Sequence, residues 1–462
     1  MAQHWMKVGA VAALAVAFGV GHDGFASASD PSTAPAEGTT IAVPGDYGTI
    51  QEAVDAAAPG DLILVSPGTY HEAVNVQVDA LTIRGLDRNE VILDGEFELD
   101  NGIRVLGANG VVLENMTAMN YTANGFFWTG VDGYRGSYLT TYRTGFYGVY
   151  AFDAINGQFD NSYASGTGDA GFYIGECFPC NALMEMVVAE YNGIGFSGTN
   201  AGGNIYIVDS RFNNNRVGIV PNSGSYELCY PQRDIVIAGN LVYSNNEADT
   251  PAIRDAILAM GNGILVAGGI GDTVVNNRVW DHDRVGIGLM PYLEETPVDD
   301  APGEDEWERT CEEMKQDPVN MEPPDTLLWH PLNNRVTGNV VEDSGVADLA
   351  VATAGADLST LGNCFAENEF TSSAPESLET LAPCDGEVDG AGDWAAGAID
   401  MAQWVADAQD APEPPSYETA PIPDLEPQEN MPDAADAPAN PATSIVIDVD
   451  VATIEVPAAP TG

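Results

Sequence analysis

A glycine followed by alternating apolar residues recurs along this chain: NGIRV, NGFFW, YGVYA, AGFYI, NGIGF, VGIVP, NGILV and VGIGL. The glycines are Gly102, Gly125, Gly148, Gly171, Gly193, Gly218, Gly263 and Gly286, in steps of 23, 23, 23, 22, 25, 45 and 23 residues. A period of this length means stacked supersecondary units, none of which can bury its apolar face alone.

Inside each unit the positions one and three after the glycine are mostly apolar, as in Phe126 and Trp128, Phe172 and Ile174, Ile194 and Phe196, or Ile287 and Leu289. Period two within period 23 means short strands with one face inward. A second strand precedes each glycine, as in IYIVDSRF, IVIAGNLVY and DTVVNNRVW, with Asn or Asp at the bend. Such side chains bond turn backbone and stack on their equivalents one coil away. The units are too short for crossover helices, so the pattern predicts an all-β solenoid, a parallel β-helix rising by about 4.8 Å per coil. The step of 45 holds one coil plus an insertion at about 247–260, and a second insertion at about 294–328 precedes GVADLAV, which puts Ala347 at the glycine position.

An open solenoid end exposes strand edges and needs a cap. PGDYGTIQEAVDAAAPGD supplies one: Thr49 and Glu52 have capping-box spacing, Ile50, Ala53, Val54 and Ala57 make one stripe, and Pro59-Gly60 ends the helix. This opening, followed by LTIRGLDRNEVILDG and the coils, resembles the right-handed parallel β-helix proteins of the pectin-lyase-like superfamily. Within it the chain is similar to generic exported bacterial β-helix proteins, including the periplasmic accessory proteins of nitrous-oxide reductase maturation. The resemblance implies a right-handed solenoid over 41–384; the superfamily hosts lyases, hydrolases, esterases, epimerases, adhesins and non-enzymes, so it implies no single activity.

The ends are different in kind. Residues 1–28 carry Lys7, an apolar run VGAVAALAVAFGV and Ala26-Ser27-Ala28, which reads as a cleaved secretory signal ahead of a 29–40 linker; the run is too short to span a membrane, so a secreted or periplasmic chain without membrane insertion is expected. Residues 385–462 contain no Lys, Arg or His and are rich in Ala, Pro, Asp and Glu. They predict an acidic disordered tail with one short helix over 393–408 and a strand-like close at SIVIDVDVATIEV. A net charge of -55 repels nucleic acid and anionic membranes and matches salt-adapted surfaces. Cys177, Cys180, Cys229, Cys311, Cys364 and Cys384 form an even set in an exported chain; pairing 177 with 180, 229 with 311 and 364 with 384 closes local loops or pins an insertion, other connectivities remaining open.

Candidate chemistry falls in two places. In WDHDRVGIGL, His282 lies between Asp281 and Asp283, four residues before Gly286, where the earlier NNNRVGIVPN has Asn214. Arg216 and Arg284 each lie two before their glycines with Gly261 between them, about 10 Å apart at strand spacing. Two guanidiniums flanking a gap would hold a uronate carboxylate, and His282 with Asp281 or Asp283 would move a proton beside it, as β-elimination or C5 epimerisation requires. DHD is similar to the Asp-Pro-His-Asp motif of alginate C5-epimerases, without its proline. The bland alternative is a polar turn that recurs on every coil. The second place is the outward position two after the glycine, which is Arg104, Phe127, Tyr150 and Tyr173 on successive coils and makes a candidate glycan track.

The acidic insertion GEDEWERTCEEM is a candidate for weak Ca²⁺ binding, without an EF-hand spacing, and no other cofactor is expected. The expected function is polysaccharide binding or a lyase- or epimerase-like activity. A non-catalytic scaffold or assembly accessory is the alternative.

Overall fold

The computed structural model describes residues 38–385, 392–443, 447 and 449–460. The expected leader over 1–28 lies outside them. The described chain is a parallel β-helix with three sheets. One coil runs through Arg233–Ala238, Leu241–Tyr243 and Ile264–Ala267; the next through Thr273–Val275, Arg278–His282 and Val285–Met290; the next through Arg335–Thr337, Val340–Ser344 and Ala347–Val351. Each strand pairs in parallel with its equivalent, as in Val236↔Thr273↔Arg335, Leu241↔Arg278↔Val340 and Ile264↔Ile287↔Leu349. We call these the first, second and third sheets.

Register corrects two glycine assignments. Phe172 pairs with Phe196 and Phe196 with Ile219, which aligns Gly171 and Gly218 with Gly195 rather than Gly193. Ile287 pairs with Leu349, so Asp348 and not Ala347 stands opposite Gly286. Space enforces the repeat glycine: a Cβ on Gly263 would lie 2.5 Å from the Gly286 carbonyl oxygen and 2.8 Å from His282 Cε1.

The interior alternates apolar layers with polar ladders. Phe126, Trp128, Tyr134 and Phe159 are fully buried, the Trp128 and Phe159 ring centres being 5.6 Å apart. At the bend between the first and second sheets, the Asn240, Asn277 and Asn339 backbone N–H groups each donate to the next coil's Asn Oδ1 at 2.9, 2.9 and 3.0 Å. The last rung, Asn368, donates to Glu379 Oε1 at 2.9 Å, on the short helix Leu378–Leu381 at the C-terminal end. These side chains satisfy bend N–H groups that no strand can reach.

At the opposite end the helix Ile50–Ala56 has Thr49 as N-cap, accepting from Glu52 N at 3.1 Å, and buries Ile50, Ala53 and Val54. Cys177 is joined to Cys180, Cys229 to Cys311 and Cys364 to Cys384. The second insertion leaves the third sheet through an antiparallel pair, Tyr292–Glu294 with Leu327–Trp329.

The described tail is not a disordered appendage. After the helix Met401–Asp410 it lies against the solenoid as an extended strap. Arg143 donates to the Tyr417 and Ala420 carbonyls at 2.9 and 2.9 Å. Arg88 donates to Glu429 O at 3.0 Å, and Arg84 to the Ala437 and Pro438 carbonyls at 3.0 and 2.6 Å. Val449, Val451 and Ile454 pack on Leu183, Val208 and Ala238, the outward face of the first sheet. The described part of the closing segment forms a 3-10 turn, Val451–Thr453, and no ladder with a sheet edge.

Candidate functional site

The WDHD group is divided between two sides of the coil wall. His282 ends the strand Arg278–His282, and successive strand residues face opposite ways. Asp281 and Asp283 are exposed, Asp281 accepting from Ser244 Oγ at 2.6 Å. His282 is only 2 % exposed and takes the rung after Asn192, Asn215 and Asn245 in a second buried ladder. It therefore corresponds to Asn215, one residue on from the expected Asn214. Asn245 Oδ1 accepts from Asn215, which turns its Nδ2 toward His282 Nε2 at 3.2 Å. Nε2 accepts and the proton sits on Nδ1. Burial pushes the imidazole down to about 3, so the ring stays neutral and out of reach of substrate.

The two arginines are also engaged. Arg216 Nη2 donates to the Thr250 carbonyl at 2.7 Å and to the Ala248 carbonyl, anchoring the first insertion. Arg284 donates to Leu258 O at 2.8 Å, stacks 4.9 Å over the Trp404 ring and pairs with Asp407 at 3.7 Å. Their guanidiniums hold chain segments, so the expected uronate clamp does not form.

Register does bring the aromatic row together, Arg104↔Phe127↔Tyr150↔Tyr173. Phe127 stacks on Tyr150 at 4.6 Å and Tyr150 on Tyr147 at 4.2 Å, so the inner ring faces are covered by one another. Arg104 bonds Asn75 Oδ1 at 2.8 Å. Tyr173 is buried and donates to Glu227 Oε2 at 2.5 Å.

That last bond leads to a cavity of about 210 Å³ on the outward face of the third sheet. One water needs about 10–15 Å³ measured this way, so the space takes a small organic molecule. Its floor is made by outward residues of successive coils, Ser197, Val220 and Leu265, then Thr199, Asn222, Ala267 and Met290. Tyr226 and Glu227 come from the 223–232 excursion, Asp255 and Leu258 from the first insertion, and Met401 and Trp404 from the tail.

Three carboxyls line it. Burial pushes Asp169 up to about 7 against a hydrogen bond from Tyr147. Burial raises the half-buried Glu227 against the Tyr173 bond, while Asp255 is exposed at the rim beside Arg254. No Lys, Arg or His lines the cavity among the described residues. A neutral network completes it: Thr199 donates to Asn222 Oδ1 at 3.1 Å and Asn222 Nδ2 to the Tyr226 hydroxyl at 2.9 Å, with Tyr292 beside Tyr226. The arrangement can exchange hydrogen bonds with a polyhydroxylated molecule and, through acid-form carboxyls, protonate an oxygen.

Sequence reasoning missed Asp169, Glu227, Asp255, Tyr226, Tyr292 and Trp404, which depart from the repeat or precede its glycine. The available signal was that solenoid insertions gather on one face, which is often the binding face. Among the described residues no three His, Cys, Asp or Glu side chains converge as metal ligands, the acidic second insertion included, and no helix is long and apolar enough to cross a membrane.

No family model and no curated protein matches this chain. Among solved structures it is similar to the A-module of the Azotobacter vinelandii mannuronan C-5 epimerase AlgE6, at 17% identity over 70% of this chain and 91% of that one, with a TM-score of 0.45. The A-module of AlgE4 from the same organism gives 14% identity over 69% and 90%, TM-score 0.43. A rhamnogalacturonan lyase gives 13% over 79% and 95%, TM-score 0.44. Likeness at this level assigns no activity to the chain.

Proposed function

We propose that this chain binds a neutral saccharide in the third-sheet cavity, as an extracytoplasmic β-helix protein. The observation that carries the reading is a buried Asp169 and a half-buried Glu227, with no Lys, Arg or His lining the cavity among the described residues, interleaved with tyrosine hydroxyls over an apolar floor. Sugar hydroxyls donate and accept, and sugar C–H faces suit apolar and aromatic walls. A uronate would bring an unpaired anion into a site that has no cation to receive it, which is costly. Of the expected track, Tyr150 supports Tyr147 in the cavity wall and Tyr173 positions Glu227. The three disulfides suit an oxidising compartment.

Calorimetric titration of neutral and uronate oligosaccharides at pH 6 tests this. Neutral ligands should bind, with uronates at least about tenfold weaker, a difference of about 1.4 kcal/mol. Because burial favours the acid form of Glu227, Glu227→Gln should keep binding within about threefold and Glu227→Ala should lose at least about tenfold, near the typical net worth of a hydrogen bond. Equal or tighter uronate binding, or an unaffected Glu227→Ala, would sink the reading. The same samples report any cleavage of the ligand.

A further inference from the structure

The cavity has a floor belonging to the solenoid and a roof that does not. Ser197, Val220 and Leu265 are outward residues on successive coils, as are Thr199, Asn222 and Ala267. By itself this face would be a groove running along the axis, open to any length of ligand. Ile253, Leu258 and Ala259 of the first insertion and Met401 and Trp404 of the tail helix close over it. Trp404 is 7 % exposed, and one side chain locks it: Arg284 lies over the ring, pairs with Asp407 one turn further along and reaches Leu258 O in the insertion. A residue 120 positions away in sequence thereby becomes a wall of the site.

We propose that Trp404 determines specificity: the roofed cavity admits a chain end or a short neutral oligosaccharide and excludes the interior of a polymer. This rests on the saccharide reading above. A groove built on equivalent positions of stacked coils would accommodate a continuous chain, and the tail helix blocks that path.

The test uses the full-length protein, Trp404→Ala and Arg284→Met. The probes are maltose, laminaribiose and mannobiose, each beside its soluble polymer and compared per mole of chain. The wild type should bind one disaccharide at least about tenfold more tightly than its polymer. In Trp404→Ala the disaccharide should weaken by about tenfold, within the range of an aromatic contact, while the polymer binds more tightly. An unchanged disaccharide-to-polymer ratio in Trp404→Ala overturns the proposal.

Amide exchange over 401–410 gives a readout that needs no sugar. Protection in the wild type that is lost in Arg284→Met supports the roof, and a wild-type helix exchanging like free peptide overturns it. A protected helix in a protein that binds no saccharide overturns the saccharide reading, and the specificity claim with it.

Discussion

His282 occupies an asparagine's place in a buried ladder, and its chemistry follows from that place. Its folded pKa lies near 3, below the ordinary 6.5, so between these values the unfolded chain binds the extra proton. Stability is then lost as pH falls through that window. His282→Asn should remove this part of the acid sensitivity and keep the ladder, whereas His282→Ala should cost about 1–3 kcal/mol by leaving Asn245 Nδ2 short of a partner. Urea midpoints at pH 4 and pH 7 check both.

Asp272 behaves with the opposite sign. Burial raises it from 3.8 to about 7, so the native state holds a proton that the unfolded state has released, and stability falls as pH rises through that range. Asn334 and Asn363 occupy the following rungs of its ladder. Asp272→Asn should match the wild type near pH 4 and exceed it in urea midpoint at pH 8; a constant offset across pH would contradict the assignment.

At the scale of the element, the coil is a steric device as much as a hydrophobic one. Parallel pairing brings Gly195, Gly218 and Gly263 each under the next coil's backbone and beside a ladder side chain, as Gly263 lies under Gly286 and against His282. Gly263→Ala should cost about 1–3 kcal/mol by overpacking, measured as a urea midpoint shift with an unchanged slope. The glycines and the bend asparagines were legible in the sequence because each coil repeats the same constraint. Register within a coil was less so: NGIGF offers two glycines, Gly193 and Gly195, and pairing with Gly171 and Gly218 chose the second. The same uncertainty of one residue at a bend separates Asn214 from Asn215, and at period two one residue moves a side chain from solvent to core.

Across the whole molecule, the few arginines work as clamps on the tail. Of 13, obtained as 15 basic residues less Lys7 and Lys315, Arg84, Arg88, Arg143, Arg278 and Arg284 contact it. Four of these donate to tail backbone carbonyls, so the tail's carboxylates do little of the holding. Amide protection over 417–438 should therefore change little between 50 mM and 1 M NaCl. The global melting temperature should rise with salt as the repulsion of a -55 chain is screened. A chain ending at Asp385 should melt lower and bind apolar dyes, since Leu183, Val208 and Ala238 lose their cover and Arg84 loses its tail carbonyl acceptors, keeping only Glu114.

By itself the sequence determined the solenoid, its two insertions and the polar bends, because all of these are written in short-range spacing; it offered the cysteine pairing as one connectivity among several, and the structure has that one. Only the tertiary structure decided that His282 faces inward, that Arg284 serves Trp404, and that Asp169, Glu227 and Asp255 share a cavity. Those contacts join residues with no common period, and the strand's alternation, the insertions' path and the strap's docking set them together in space.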